Sequence, residues 1–170
     1  MTTLSVRELK ALAVQLDETT FARQLGPFVL VERPFIKEKK TGKLELSPRS
    51  TRPLSIKQVR NSVLDFEDLW VATLPPIREL DALLIGRTAD CDVVLDEGTV
   101  SKHHAKIVWT RNKAVLEDLA SRNGTLLNGS KVPANRPQQL NDNDAIDFGG
   151  VMVLFLEVAT LRRRMGLRSA

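Results

Sequence analysis

The stretch Thr99–Ala105 reads T-V-S-K-H-H-A and sets Ser101 just ahead of His103 and His104, the only two histidines in 170 residues. A hydroxyl near imidazole is raw material for nucleophilic catalysis, which also needs a third group to orient the base and donors aimed at an oxyanion. No G-x-S-x-G elbow accompanies this serine, and sequence neighbours at a strand entry do not face one another as a triad must. No catalytic residue is therefore assigned. Two histidines and Cys91, the single cysteine, do not have the spacing of a zinc site. Asn141-Asp142-Asn143-Asp144 resembles a calcium loop in composition but lacks its glycine and terminal glutamate, and reads as an Asx-rich turn. Neither G-x-x-x-x-G-K-[ST] nor G-x-G-x-x-G occurs. The residues point to no metal ion and no cofactor.

The polar residues that remain suit the holding of an anion without reaction. Gly86-Arg87 closes an apolar run at 82–85, Ser101-Lys102 leads into another at 105–110, and Arg122-Asn123-Gly124 lies in a later turn. Brought to one end of a β-structure, these turns supply a guanidinium, a hydroxyl, an ammonium and backbone amides. That inventory fits a phosphate dianion, whose oxygens take charge-assisted hydrogen bonds and match the arginine fork. Each residue alone also has an ordinary reading as a surface arginine or turn asparagine.

The elements that must position them follow from periodicity. Ser5 and Glu8 form a capping box, after which Leu9, Leu12, Ala13 and Leu16 share a helical face. A second short helix spans Glu18–Leu25, closed by Gly26 and Pro27. Phe28–Glu32 reads as a strand. Residues 34–54, rich in turn formers and basic charge, read as a linker. Ser55 and Gln58 repeat the capping logic before an apolar stripe of Ile56, Val59, Val63, Phe66 and Trp70, which predicts a helix within 55–74. From residue 75 short strands and turn signals alternate. Ala105, Ile107 and Trp109 fall on one face and Lys106, Val108 and Thr110 on the other. Ala114–Leu119 follows across Arg111-Asn112, Asn123-Gly124 and Asn128-Gly129 mark turns, and Gly149-Gly150 joins Ala145–Phe148 to Val151–Val158 as a hairpin. The fold class is mainly β: an antiparallel β-sandwich with an N-terminal helical extension. The sandwich spans 75–160, the helical region with a possible edge strand 1–33, and a basic tail 161–170.

L-L-I-G-R at 83–87, D-V-V-L at 92–95, S-K-H-H-A at 101–105, L-E-D-L-A-S-R-N-G-T at 116–125 and L-N-G at 127–129 resemble the forkhead-associated (FHA) domain family. L-N-D-N-D-A-I-D-F-G at 140–149 is similar to that family's final turn and strand. The resemblance covers roughly 80–158 and implies a sandwich whose apical loops grip a phosphothreonine in an extended partner segment, as phospho-motif readers do. By resemblance Arg87 and Ser101 bind the phosphate, Lys102 sits where a further phosphate contact often lies, and Arg122 adds a contact or reads an acidic residue beside it. Asn123 matches the asparagine that bonds the bound peptide's backbone. Gly86, His104, Gly124 and Asn128 match positions that shape the site, with His104 pinning loops and His103 a bystander. The sequence departs from the family in its abbreviated opening before Gly86, around Pro75-Pro76, and Phe28–Glu32 is a candidate for the missing strand.

Composition sets the outer bounds. Net charge is +4; residues 34–60 hold eight Lys/Arg against two glutamates, the tail adds four arginines, and 75–158 has nine basic against twelve acidic residues. The basic segments read as solvated surface, and the net-acidic sandwich argues against nucleic acid as the partner. A lone cysteine excludes an internal disulfide and suits a reducing compartment, while no apolar run is long enough to cross a bilayer. These observations predict a soluble, cytoplasmic, non-enzymatic signalling adaptor. Its partner is a protein or peptide carrying phosphothreonine, with a Ser/Thr kinase or its substrate among the candidates. The rival readings are a scaffold indifferent to phosphate and a nucleic-acid binder using the basic linker and tail.

Overall fold

The computed structural model describes residues 2–32, 35–38, 44–47, 70–73, 82–110 and 113–167. The chain opens with β1 (Thr2–Ser5), α1 (Val6–Gln15), α2 (Glu18–Leu25) and β2 (Phe28–Glu32). After β3 (Phe35–Glu38), β4 (Leu44–Ser47) and β5 (Trp70–Thr73) come the strands of the second half. These are β6 (Ala82–Gly86), β7 (Val93–Val94), β8 (Ala105–Thr110), β9 (Lys113–Asp118), β10 (Thr125–Leu127), β11 (Ser130–Lys131), β12 (Gln138–Leu140), β13 (Ala145–Phe148) and β14 (Val151–Glu157). Helix α3 (Val158–Arg164) follows without a break.

Two sheets face each other. One has seven strands in the order β1-β5-β2-β14-β13-β10-β11, the other five in the order β12-β9-β8-β6-β7. All pairs are antiparallel except β6 with β7, which run parallel and depart from the purely antiparallel expectation. Between the sheets, Leu83, Ile85, Ala105, Ile107, Ala114 and Leu116 meet Phe28, Leu30, Ile146, Phe148, Val153 and Phe155 in one core.

Strand β2 explains why Phe28–Val31 is apolar at every position. Its alternate residues Val29 and Val31 turn away from the sandwich into a second core with Leu9 and Ala13 of α1, Phe21 and Leu25 of α2, Leu156 of β14 and Leu161 of α3. A strand covered on both faces loses the polar alternation of a half-exposed one. Nor is β2 an edge strand: it lies between β5 and β14, pairing Leu30 with Ala72 on one side and with Phe155 on the other. Phe28 stacks at 4.8 Å on Phe155 and at 5.3 Å on Trp109, linking the two sheets. Phe28→Ala should therefore cost about 3–5 kcal/mol of unfolding free energy. Urea denaturation checks this, and a loss under ~1 kcal/mol would mean that the N-terminal strand is dispensable to the sandwich.

The α1 capping box forms as expected, with Glu8 N donating to Ser5 Oγ and Ser5 N to Glu8 Oε2. Asp17 caps α2 through Thr20 N at 2.9 Å. Leu12 corrects the predicted face: it is exposed, and Val6 completes the buried stripe with Leu9 and Ala13. The predicted linker 34–54 contains the hairpin β3-β4. Trp70 opens strand β5 and does not end a helix, because it pairs with Glu32 and with Ser5; the rest of the predicted helix, 55–69, and the Arg111-Asn112 turn lie outside the described residues.

The basic tail also needs correction. Residues 158–164 are helical, and Val158, Leu161 and Met165 sit in the second core at a spacing that puts them on one face. Arg162 is buried with them, its guanidinium 5.4 Å from the Phe21 ring centroid; such a contact offsets part of the desolvation of the charge. Burying each large apolar side chain contributes roughly 1.5–3 kcal/mol, so the three helices are a fixed layer on the seven-stranded sheet. The Asn141–Asp144 turn serves this layer: Asp142 accepts from Glu157 N and Thr160 Oγ1, at the start of α3. None of the helices is long and apolar enough to cross a membrane, among the described residues.

Candidate functional site

The turns at one end of the sandwich are joined by a dense set of short contacts. Gly86 ends β6 where the chain from β7 to β8 passes directly over it: a Cβ there would lie 2.0 Å from Lys102 O and 2.8 Å from Cys91 Sγ. Only a residue without a side chain admits this approach. The closeness lets Arg87 N donate to Ser101 O at 3.0 Å and Lys102 O at 3.1 Å, and Arg87 Nε donate to Val100 O at 3.2 Å. The guanidinium is thus held against the residues that carry Ser101, with its terminal nitrogens unbonded among the described residues. Thr88 Oγ1 also donates to Lys102 O, at 3.0 Å.

Ser101 Oγ accepts from Arg122 N at 3.0 Å, which leaves its hydroxyl proton to donate elsewhere. Asn123 Nδ2 donates to Thr99 O at 2.6 Å, which leaves the amide oxygen open toward solvent. Gly149, in the β13-β14 turn at φ +63°, gives its N–H to Gly124 O at 3.2 Å, and a Cβ there would come within 2.6 Å of Thr99 O. Asn128, at φ +51°, tethers the next turn by donating to Asp144 Oδ1 and accepting from Ala145 N. The fold therefore brings Gly86, Arg87, Ser101, Lys102, Arg122, Asn123 and Gly124 to one rim, with Asn128 behind it.

His104 is fully buried beneath this rim and its tautomer follows from its partners. Nδ1 accepts from Ser101 N at 3.1 Å, so the ring proton sits on Nε2, which donates to Gly124 O at 3.2 Å. One neutral ring thereby bridges the Ser101 and Gly124 turns, with Phe148 edge-on at 5.8 Å. Burial pulls the His104 pKa below 6.5, against weaker opposing effects from Gly124 O, Asp118 and Asp147. A base whose folded pKa is depressed takes up its proton first in the unfolded chain, so its contribution is complete above about pH 6.5 and is lost as pH falls below that. The unfolding temperature should fall between about pH 6.5 and 5, and His104→Gln should flatten that slope while lowering the neutral-pH baseline. Glu32, whose pKa burial and Glu97 push upward, works with the opposite sign. An unchanged slope in the variant would remove His104 as its source.

Asp118 was not anticipated. It is 2% exposed and accepts from Ser121 N, Ser121 Oγ and Thr125 Oγ1, bracing the turn that carries Arg122 and Asn123. Burial opposes its ionisation, but the bonds from Ser121 and Thr125 outweigh this and its pKa lies below the usual value. The signal was present in sequence: Ala114, Leu116 and Asp118 share the inward phase of β9, and a carboxylate in that phase must find donors. Lys131 was also missed. Its Cε would be 3.5 Å from a Cβ on Gly124, which brings a lysine side chain up to that turn. Arg87, Lys102, Arg122 and Lys131 make no ion pair with a carboxylate among the described residues, whereas Lys106 on β8 pairs with Glu117 at 2.9 Å.

The family model for the FHA domain matches residues 83–149, the stretch that holds every one of these turns. Residues 83–149 form an FHA domain. The chain is 36% identical over 94 residues to an ABC transporter ATP-binding/permease protein of Mycobacterium tuberculosis, covering 55% of this chain and 10% of that protein. It is 43% identical over 65 residues to the transcriptional regulatory protein EmbR of the same organism, covering 38% of this chain and 16% of EmbR. The chain thus spans between a tenth and about a sixth of the length of these relatives. The crystal structure of an FHA domain from a Chlamydia trachomatis protein superposes with a TM-score of 0.50 at 18% identity, over 78% of this chain and 98% of that one. That coverage extends the shared fold beyond the FHA match, in keeping with the strands β1, β2 and β5 that complete the sheet here.

Proposed function

We propose that this chain is a phosphothreonine-dependent binding module, a non-enzymatic adaptor or regulator acting downstream of a Ser/Thr kinase in a reducing cytoplasm. In this reading Arg87 and Ser101 hold the phosphate, Lys102 and Arg122 add charge to it or to a neighbouring acidic residue, and Asn123 uses its free amide oxygen on the partner's backbone N–H. His104, Gly86, Gly124 and Asn128 keep the turns in register. One observation carries the reading: cations and a hydroxyl from three separate turns converge on one rim, pinned by internal hydrogen bonds, without a carboxylate to neutralise them among the described residues. Such an unpaired, pre-positioned set is suited to a dianion brought by something else.

The mechanism needs no moving part. Phosphorylation adds nearly two negative charges and three acceptor oxygens to a partner threonine, creating an anchor that dephosphorylation removes. Calorimetric titration with a degenerate phosphothreonine peptide pool and its phosphatase-treated counterpart tests the reading. Binding confined to the phosphorylated pool is expected, and equal affinity for the two pools would replace the adaptor with a phosphate-indifferent scaffold.

A further inference from the structure

The turn after β6 gathers three metal-binding donor types that spacing alone does not reveal. Asp90, Cys91 and His103 each present a ligand atom, and all three atoms lie within 4.8 Å of one another. Asp90 and Cys91 follow Gly86, whereas His103 comes from the segment entering β8, so the cluster clips together two parts of the five-stranded sheet. Cys91 is 7% exposed and sits at the base, its Sγ 3.2 Å from Lys102 O. Asp90 and His103 are exposed above it and touch each other at 2.5 Å through Oδ2 and Nε2. Cys91 and the histidines were set aside on sequence spacing; the fold supplies Asp90 as the missing donor.

Thiolate, imidazole and carboxylate are the donors of zinc-class sites, and the soft sulfur disfavours magnesium and calcium. Metal–ligand bonds of about 2.0–2.3 Å in a tetrahedron set the donor atoms roughly 3.3–3.7 Å apart. That separation lies between the 2.5 Å contact and the 4.8 Å limit of the cluster, and rotations of the two exposed side chains about a fixed Cys91 would reach it. We propose that Asp90, Cys91 and His103 bind one zinc-class divalent ion, with water or a donor from another molecule in the fourth position. Binding releases the Cys91 thiol proton to solvent and exchanges the S–H contact with Lys102 O for a sulfur–metal bond. His103 directly follows Lys102, whose carbonyl receives Arg87 N and Thr88 Oγ1, so the ion is attached through His103 to the backbone that carries the rim. This inference stands independently of what the rim binds.

Cobalt(II) is a direct probe, added to the full chain with a phosphine reductant and no chelator. One equivalent should produce thiolate-to-cobalt charge-transfer absorption in the near ultraviolet, displaced by zinc. Cys91→Ser should abolish the band. His103→Ala, a change at an exposed position, should weaken cobalt binding at least about tenfold, since even an outer-sphere partner of a metal ligand is worth that much. Zinc should also raise the unfolding temperature of the unaltered chain and not that of Cys91→Ser. Absence of the band, its persistence in Cys91→Ser, or equal cobalt affinity in His103→Ala overturns the proposal.

Discussion

Replacing Arg87 by alanine is expected to abolish binding of a phosphothreonine peptide, with an affinity loss of at least about 100-fold, while the fold remains intact. The magnitude follows from the two terminal guanidinium nitrogens left available after Nε bonds Val100 O. A hydrogen bond to a charged partner contributes about 1.5–3 kcal/mol, and two of them exceed the ~2.7 kcal/mol that corresponds to 100-fold. The stability cost is small because Arg87 is exposed and its side chain makes a single hydrogen bond, to Val100 O. Arg87→Lys should lie between, since it keeps the charge and loses the planar fork. Isothermal titration alongside a thermal melt separates the two effects. Undiminished peptide binding by a well-folded Arg87→Ala would remove the rim as the phosphate site.

Gly86→Ala should be the most damaging single-methyl change in the domain, costing more than about 3 kcal/mol or preventing folding. The added Cβ would stand 2.0 Å from Lys102 O and 2.8 Å from Lys102 C, and both obstacles are backbone. No rotamer relieves them. Relief requires the strand to move away from the β7-β8 connection, which breaks the bonds from Arg87 N to Ser101 O and from Leu95 N to Gly86 O. Gly98→Ala is the matched control, because a Cβ there meets nothing within 4 Å. Urea denaturation of the two variants should differ by several kcal/mol; equal stability would mean that the tight crossing over Gly86 does not exist in solution.

Six of the sandwich strands from Ala82 onward are legible because their signals are local, while the short β10, β11 and β12 carry too few residues to show a period. Ala105–Thr110 alternates, Asn128-Gly129 and Gly149-Gly150 punctuate, and the capping box of Ser5 and Glu8 stands at the start of its helix. What escaped was set by distant partners. Thr2–Ser5 becomes a strand by pairing with Trp70–Thr73, and Trp70–Thr73 by pairing with it and with β2, a decision their own composition does not record. Arginine density disguises α3: Leu161 and Met165 read as part of a solvated tail, and Val158 as the last residue of the strand before it. At the site, Arg87, Ser101 and Asn123 could be named singly. Their tethers could not, since Thr99 O, Val100 O and Gly124 O are backbone carbonyls with no residue type to betray them. Asp118 is the exception, a polar residue in the buried phase of a strand.

The pairing of β2 with β14 sets Glu32 opposite Val153, more than a hundred residues further along the chain. A growing polypeptide leaving the ribosome exposes Phe28–Val31 long before its neighbour exists, so the seven-stranded sheet closes only after nearly all of the present sequence has been synthesised. Contacts of such long range slow folding and leave an apolar strand open to mispairing meanwhile. Expression yield, and any dependence on chaperones during synthesis, should therefore respond most sharply to changes in that early strand.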